Sequence, residues 1–167
     1  YAEKGHNETL LKWAELEYIT GNYESALEKY KLAYKNNPNS DIWVKMLECS
    51  EANNYYDFDQ LWLLGKNYLE TCPEVNVIRI RQLYYTEHFE EANQLAEHLI
   101  NYSLSTFDHA TAFLVMGMIN YRKGEYQTAI STLSKVVMLF PEHKDICSKA
   151  INYIVRSLLD SGAYTEA

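Results

Sequence analysis

Hydrophobic and polar positions follow a helical period along nearly the whole chain. Leu10, Trp13, Ala14 and Glu17 fall at i, i+3, i+4 and i+7, one stripe of a helix. That stripe stops at Gly21, a residue free to take the left-handed backbone that closes a helix. A second stripe runs through Tyr23, Ala26, Tyr30 and Ala33 and must end before Pro38, which cannot continue a helix. Small residues at Ala14 and Ala26 let the two helices approach closely, so the spacing predicts an antiparallel helical hairpin. The pattern returns as Phe113, Met116, Gly117 and Asn120, then Gly124, then Tyr126, Ala129, Leu133 and Val136, ending before Pro141.

The two hairpins share a six-residue pattern of Gly, Tyr and Ala. Gly21-Asn22-Tyr23-Glu24-Ser25-Ala26 reappears as Gly124-Glu125-Tyr126-Gln127-Thr128-Ala129, and the same glycine, tyrosine and alanine spacing closes the chain at Gly162-Ala163-Tyr164-Thr165-Glu166-Ala167. Gly21 and Gly124 lie 103 positions apart, close to three periods of about 34, and a proline follows each glycine by 17 positions. In a chain with 6 glycines such a match is not expected by chance.

These residues resemble the tetratricopeptide repeat family, whose units place a bulky residue, an aromatic, Gly, Tyr, Ala, a second aromatic, Ala and Pro at fixed offsets. The first and fourth units match most closely, although Glu17 and Asn120 stand where the first-helix aromatic usually sits. The second is degenerate. Trp43, Met46 and Leu47 supply its first helix and Phe58, Leu61, Tyr68 and Pro73 its second, but Gly65 holds a position usually filled by a large residue. About two extra residues in Asn53-Asn54-Tyr55-Tyr56 lengthen its turn. The third keeps Ile80, Leu83, Phe89, Ala92, Ala96 and Leu99 but has Glu87 at the turn and no closing proline. Ser105 and Asp108 read as a capping box for the helix that follows. The resemblance implies an all-α, right-handed solenoid of stacked hairpins, read as one repeat domain over residues 1–167. Its units span about 7–39, 40–73, 74–103, 108–143 and an incomplete 148–167. Opening on Tyr1, the sequence is expected to be a piece of something longer. The unfinished last unit should leave Ile151, Ile154, Leu158 and Leu159 exposed or covered by another chain, self-association included.

Composition narrows the function. With 15 Lys and Arg against 23 Asp and Glu the net charge is −8, which disfavours nucleic acid and anionic membranes as partners. The excess lies entirely in residues 1–100, and no apolar run is long enough to span a bilayer. Three widely spaced cysteines, Cys49, Cys72 and Cys147, suggest buried thiols in a reducing, cytoplasmic setting rather than disulfides or zinc. No phosphate-cradling glycine loop occurs, so no nucleotide cofactor is expected. Among the 5 histidines none stands at i, i+4 to another and no His-Glu-x-x-His occurs, so no metal is expected either. His143, Asp145 and Cys147 come nearest to a ligand set, and a solvated turn is the better reading. Asp57, Asp59, Glu90 and Glu91 sit at helix starts, where carboxylates favour the dipole. Nothing in the sequence points to an enzyme.

What remains is a binding surface. Most of the 15 tyrosines fall at packing positions, but Tyr18, Tyr84 and Tyr121 come one step past the core stripe of first helices. The resemblance implies that this side faces a concave groove. The groove register reads Glu8, Leu11, Glu15 and Tyr18, then Asp41, Val44, Glu48 and Glu51. It continues with Val77, Arg81 and Tyr84, then Leu114, Met118 and Tyr121, and ends with Lys149, Asn152 and Arg156. It runs from acidic through apolar to basic, so the expected ligand is a peptide or helical segment with basic and acidic ends around an apolar anchor. Leu11 and Glu15 replace the amide and cationic residues with which some similar domains grip acidic chaperone tails, so that ligand is not expected. A non-catalytic interaction scaffold is the first reading. The alternative is a sensory or regulatory peptide-binding domain of a larger protein whose effector module lies elsewhere.

Overall fold

The computed structural model describes residues 2–162, and among these it is all-helical, with no strand. The elements are α1 (Ala2–Ile19), α2 (Tyr23–Asn36), α3 (Ser40–Ala52), α4 (Phe58–Leu64), a 3-10 turn (Lys66–Tyr68), α5 (Val75–Tyr85), α6 (Phe89–Tyr102), α7 (Thr106–Arg122), α8 (Tyr126–Leu139) and α9 (Lys144–Asp160). The chain divides into two compact units, Tyr1–Ile78 and Arg79–Ala167, the division falling inside α5. The closing hexapeptide's residues 163–167, where a further second helix was expected to open, lie outside the described residues.

Within each unit consecutive helices pack on one another: α1 on α2, α2 on α3 and α3 on α4 in the first, α6 on α7, α7 on α8 and α8 on α9 in the second. The turns explain why. At Gly21 (φ +82°) the Asn22 amide donates to the Glu17 carbonyl at 2.8 Å and the Gly21 amide to Tyr18 at 3.1 Å. At Gly124 (φ +78°) the same two bonds run from Glu125 to Asn120 and from Gly124 to Tyr121. This pair of bonds satisfies carbonyls that the helix end leaves open and reverses the chain within two residues. The α5–α6 turn makes the identical pair, His88 to Leu83 and Glu87 to Tyr84, with Glu87 itself at φ +62°. There a glutamate adopts the backbone that glycine favours, held by the packing on either side. Gly124 has open space where a Cβ would stand, so Gly124→Ala isolates backbone strain and should cost about 1 kcal/mol. Glu87→Gly should relieve a similar strain, less about 0.2–1 kcal/mol for its exposed ion pair with Arg122, and urea unfolding of the two variants would show opposite shifts.

The core of the first unit gathers Ala14, Ala26, Leu27, Tyr30 and Ala33 with Ile42, Trp43, Met46, Leu47, Phe58 and Leu61. Trp13, read as part of the buried stripe, is instead 54% exposed. Its indole donates to Glu17 at 3.1 Å, and the Lys29 ammonium lies 4.4 Å from the ring centroid, so it closes the edge of the hairpin rather than its centre. The second helix of the second hairpin also departs from expectation. It stops after Leu64, and the buried Trp43 indole takes the Leu61 carbonyl at 2.7 Å. The Gly65 amide, which would have bonded that carbonyl in a continuing helix, reaches Trp62 instead at 3.3 Å. Trp43 thus occupies the volume that a large residue at position 65 would need.

In the second unit two clusters form. One joins Ile80, Leu83, Ala92, Ala96 and Leu99 to Ala112, Val115 and Ile119, the other Leu114, Leu133, Val136 and Phe140 to Ile146, Cys147 and Ala150. The cap of α7 is more elaborate than the box expected of Ser105 and Asp108. The Asp108 amide donates to the Ser105 hydroxyl at 3.3 Å, but the Asp108 carboxylate accepts from Ser103 at 2.6 Å, whose oxygen in turn accepts from the Ser105 amide. On α9, Ile151, Val155 and Leu159 are exposed while Ile154 and Leu158 are half-buried. Counting back from Gly162, Val155 matches the fully buried Ala14 and Gly117, which their own second helices cover. No helix among the described residues is long and apolar enough to cross a membrane.

Candidate functional site

In the first unit, α1 and α3 turn one face each toward common surroundings. Leu11 and Tyr18 are half-buried, and Glu15 is exposed. On α3, Glu48 pairs with Lys45 at 2.7 Å, and Glu51 accepts the Tyr55 hydroxyl at 3.2 Å. The Tyr18 phenol is pushed up, by burial first and then by the charge of Glu48. Tyr30, deeper in the hairpin, is pushed up to about 12 by burial, with Glu15 and Glu48 adding to it. Glu15, Tyr18 and Glu48 therefore share one electrostatic environment, an acidic one floored by Leu11 and Val44.

The second unit builds an aromatic face. Tyr84 of α5, Tyr121 of α7 and Tyr153 of α9 come together although 69 positions separate the first from the last. The Tyr121 and Tyr153 rings meet edge-on with centroids 5.4 Å apart. Burial is the main cause that pushes the Tyr84 phenol up to about 12, and its hydrogen bond with Tyr153 adds to this against the opposing charge of Arg122. Tyr121 also touches Tyr126 at 5.9 Å and donates to the Asp160 carboxylate at 2.7 Å. Met118 packs against the same core cluster as Tyr121 and Tyr153, while Arg81 is half-buried on α5 and Asn152 and Arg156 are exposed on α9. The Arg156 guanidinium lies 5.5 Å from the Tyr153 ring centroid. Arg122 is held by Glu87, and Lys123 by Glu90 at 2.8 Å.

Two of the residues singled out in the sequence, Val77 at 3% exposure and Leu114, lie in the core and not at a surface. Leu114 is 6% exposed and belongs to the core of the second unit, so it supports the aromatic face from beneath and offers no contact surface. Tyr153 is the residue the sequence reading passed over. It lies on the same α9 stripe as Lys149, Asn152 and Arg156, at i+4 from the first, and that spacing was the available signal. Beside Tyr126, an open cleft of about 520 Å³ is lined by Gly124, Glu125, Gln127, Thr128, Asp160 and Ser161.

Reactive chemistry is sparse. Cys49, Cys72 and Cys147 are free and buried, and burial pushes the Cys49 thiol up to about 12, which leaves it without thiolate character. Among the described residues no three His, Cys, Asp or Glu side chains converge as metal ligands. His143 meets the Thr106 hydroxyl at 3.0 Å, whereas Cys147 points to the Phe140 carbonyl at 3.3 Å, so the two diverge. No family model matches the chain, and none of the curated proteins compared with it does either.

Proposed function

We propose that this chain is a non-catalytic interaction scaffold of tetratricopeptide type, with the right-handed solenoid that resemblance implies. In it the first-helix faces bind a peptide or helical segment of a partner protein. The observation that carries the reading is the Tyr84–Tyr153–Tyr121 cluster. Three helices that are distant in sequence place half-buried phenol rings side by side. Tyrosine offers contact area and a hydrogen bond at low entropic cost, which suits it to binding surfaces. The acidic face of α1 and α3 gives the first unit a charge-selective surface of its own, since exposed charges govern encounter rate and salt dependence more than affinity.

Binding of a partner segment recovered with the chain as bait tests this. Tyr121→Ala and Tyr84→Ala should each weaken it by about 1–2 kcal/mol. Glu15→Lys should change its salt dependence with little effect on affinity in high salt. If all three leave both quantities untouched, the partner does not lie on these faces.

A further inference from the structure

We propose that the aromatic face of the second unit selects a segment in which an apolar or aromatic side chain lies within about three residues of a carboxylate. This rests on the scaffold reading above and gives its ligand a chemical class. Lys149, Asn152, Tyr153 and Arg156 lie at i, i+3, i+4 and i+7 of α9, one stripe beside Tyr84 and Tyr121. Among the described residues no carboxylate pairs with Lys149 or Arg156, and the Asn152 side chain makes no hydrogen bond. The contrast with the turn side of the same unit is informative, because there Arg122 and Lys123 are each matched by a glutamate. Asp160, four residues beyond Arg156, is the natural intrahelical partner, but its carboxylate is occupied by the Tyr121 hydroxyl at 2.7 Å.

The geometry then fixes the ligand. The Arg156 guanidinium lies 5.5 Å from the Tyr153 ring centroid and is exposed, and a guanidinium without an acidic partner is suited to a carboxylate. The ring pair beside it, with centroids 5.4 Å apart, is an apolar seat. The Arg156 guanidinium lies 5.5 Å and the Tyr121 ring 5.4 Å from the Tyr153 ring centroid, so guanidinium and seat are at most about 11 Å apart. An extended chain advances roughly 3.3 Å per residue, so anchor and acid lie within about three residues of each other. A basic segment would meet Lys149 and Arg156 with like charge and leave both uncompensated.

Three short fluorescein-labelled peptides, blocked at both ends, test this against the full chain by fluorescence anisotropy. One alternates Asp with Phe and Leu, one carries Lys at each Asp, and one carries Ser at each Phe and Leu. The acidic–aromatic peptide should bind about tenfold tighter than either of the others. Arg156→Glu and Lys149→Glu should each lower its affinity by about fivefold and flatten its salt dependence, with Arg156→Gln giving a smaller loss. Both side chains are exposed, so the helical signal should be unchanged. No binding of the acidic–aromatic peptide, or equal binding of its lysine counterpart, overturns the proposal. Binding that Tyr121→Ala weakens but the two charge reversals leave alone overturns it while leaving the scaffold reading intact. If neither class of variant has an effect, both fall.

Discussion

Gly65→Ala is expected to destabilise the first unit by about 3 kcal/mol, a large share of the stability of an ordinary domain. A methyl group at this position would overlap the Trp43 indole at its ring-fusion carbons and at Nε1. The indole has nowhere to go. It is fully buried, with Trp62 at 6.0 Å and Tyr68 at 5.7 Å between ring centroids. Any shift also stretches its bond to the Leu61 carbonyl, and an indole left unpaired in the core costs about 1–3 kcal/mol more. All 3 tryptophans, Trp13, Trp43 and Trp62, belong to the first unit, so intrinsic fluorescence follows its unfolding specifically. A urea midpoint by fluorescence equal to that of the unchanged chain would mean the indole is not packed against this glycine.

That glycine also marks where the sequence stopped being informative. Helix ends were legible wherever the cause is local: Gly21 and Gly124 take the left-handed backbone, and α2 and α8 end just before Pro38 and Pro141. Position 65 could be flagged as too small for its repeat offset, but only the position of an indole 22 residues earlier explains it, and that is a tertiary fact. Glu87 is the converse. A glutamate gives no local signal for φ +62°, so the identity of its hydrogen bonds with those of the glycine turns could be seen only once the flanking helices were in place. The site divides along the same line. Periodicity placed Tyr84 and Tyr121 on first helices, but a register of alternating three- and four-residue steps chose Leu114, which is core, and stepped over Tyr153, which joins the other two. One helical step of 100° separates neighbouring faces, so a stripe read from spacing alone is uncertain by about one residue.

The second large effect concerns the close approach of α7 and α8. Leu133 is fully buried, and its side chain fills the space that a Cβ at Gly117 would take. Leu133→Ala should therefore cost about 3 kcal/mol, from lost burial plus the cavity that the rigid helix pair cannot close. Gly117→Ala gains up to about 1 kcal/mol of helix propensity but forces Leu133 from its rotamer, for a net loss of about 1 kcal/mol. Combining the two replaces one large and one absent side chain with two small ones across the same contact. The added methyl then occupies part of the cavity, and the clash disappears. The double variant should be more stable than the sum of the single losses by about 1 kcal/mol or more, a coupling that only residues in contact show. The second unit lacks tryptophan, so urea unfolding followed by circular dichroism, with fluorescence as the record of the first unit, separates the effect. Additive losses would mean that α7 and α8 are not held together at this glycine, and the aromatic face that they support through Tyr121 and Tyr126 would have to be positioned by some other contact.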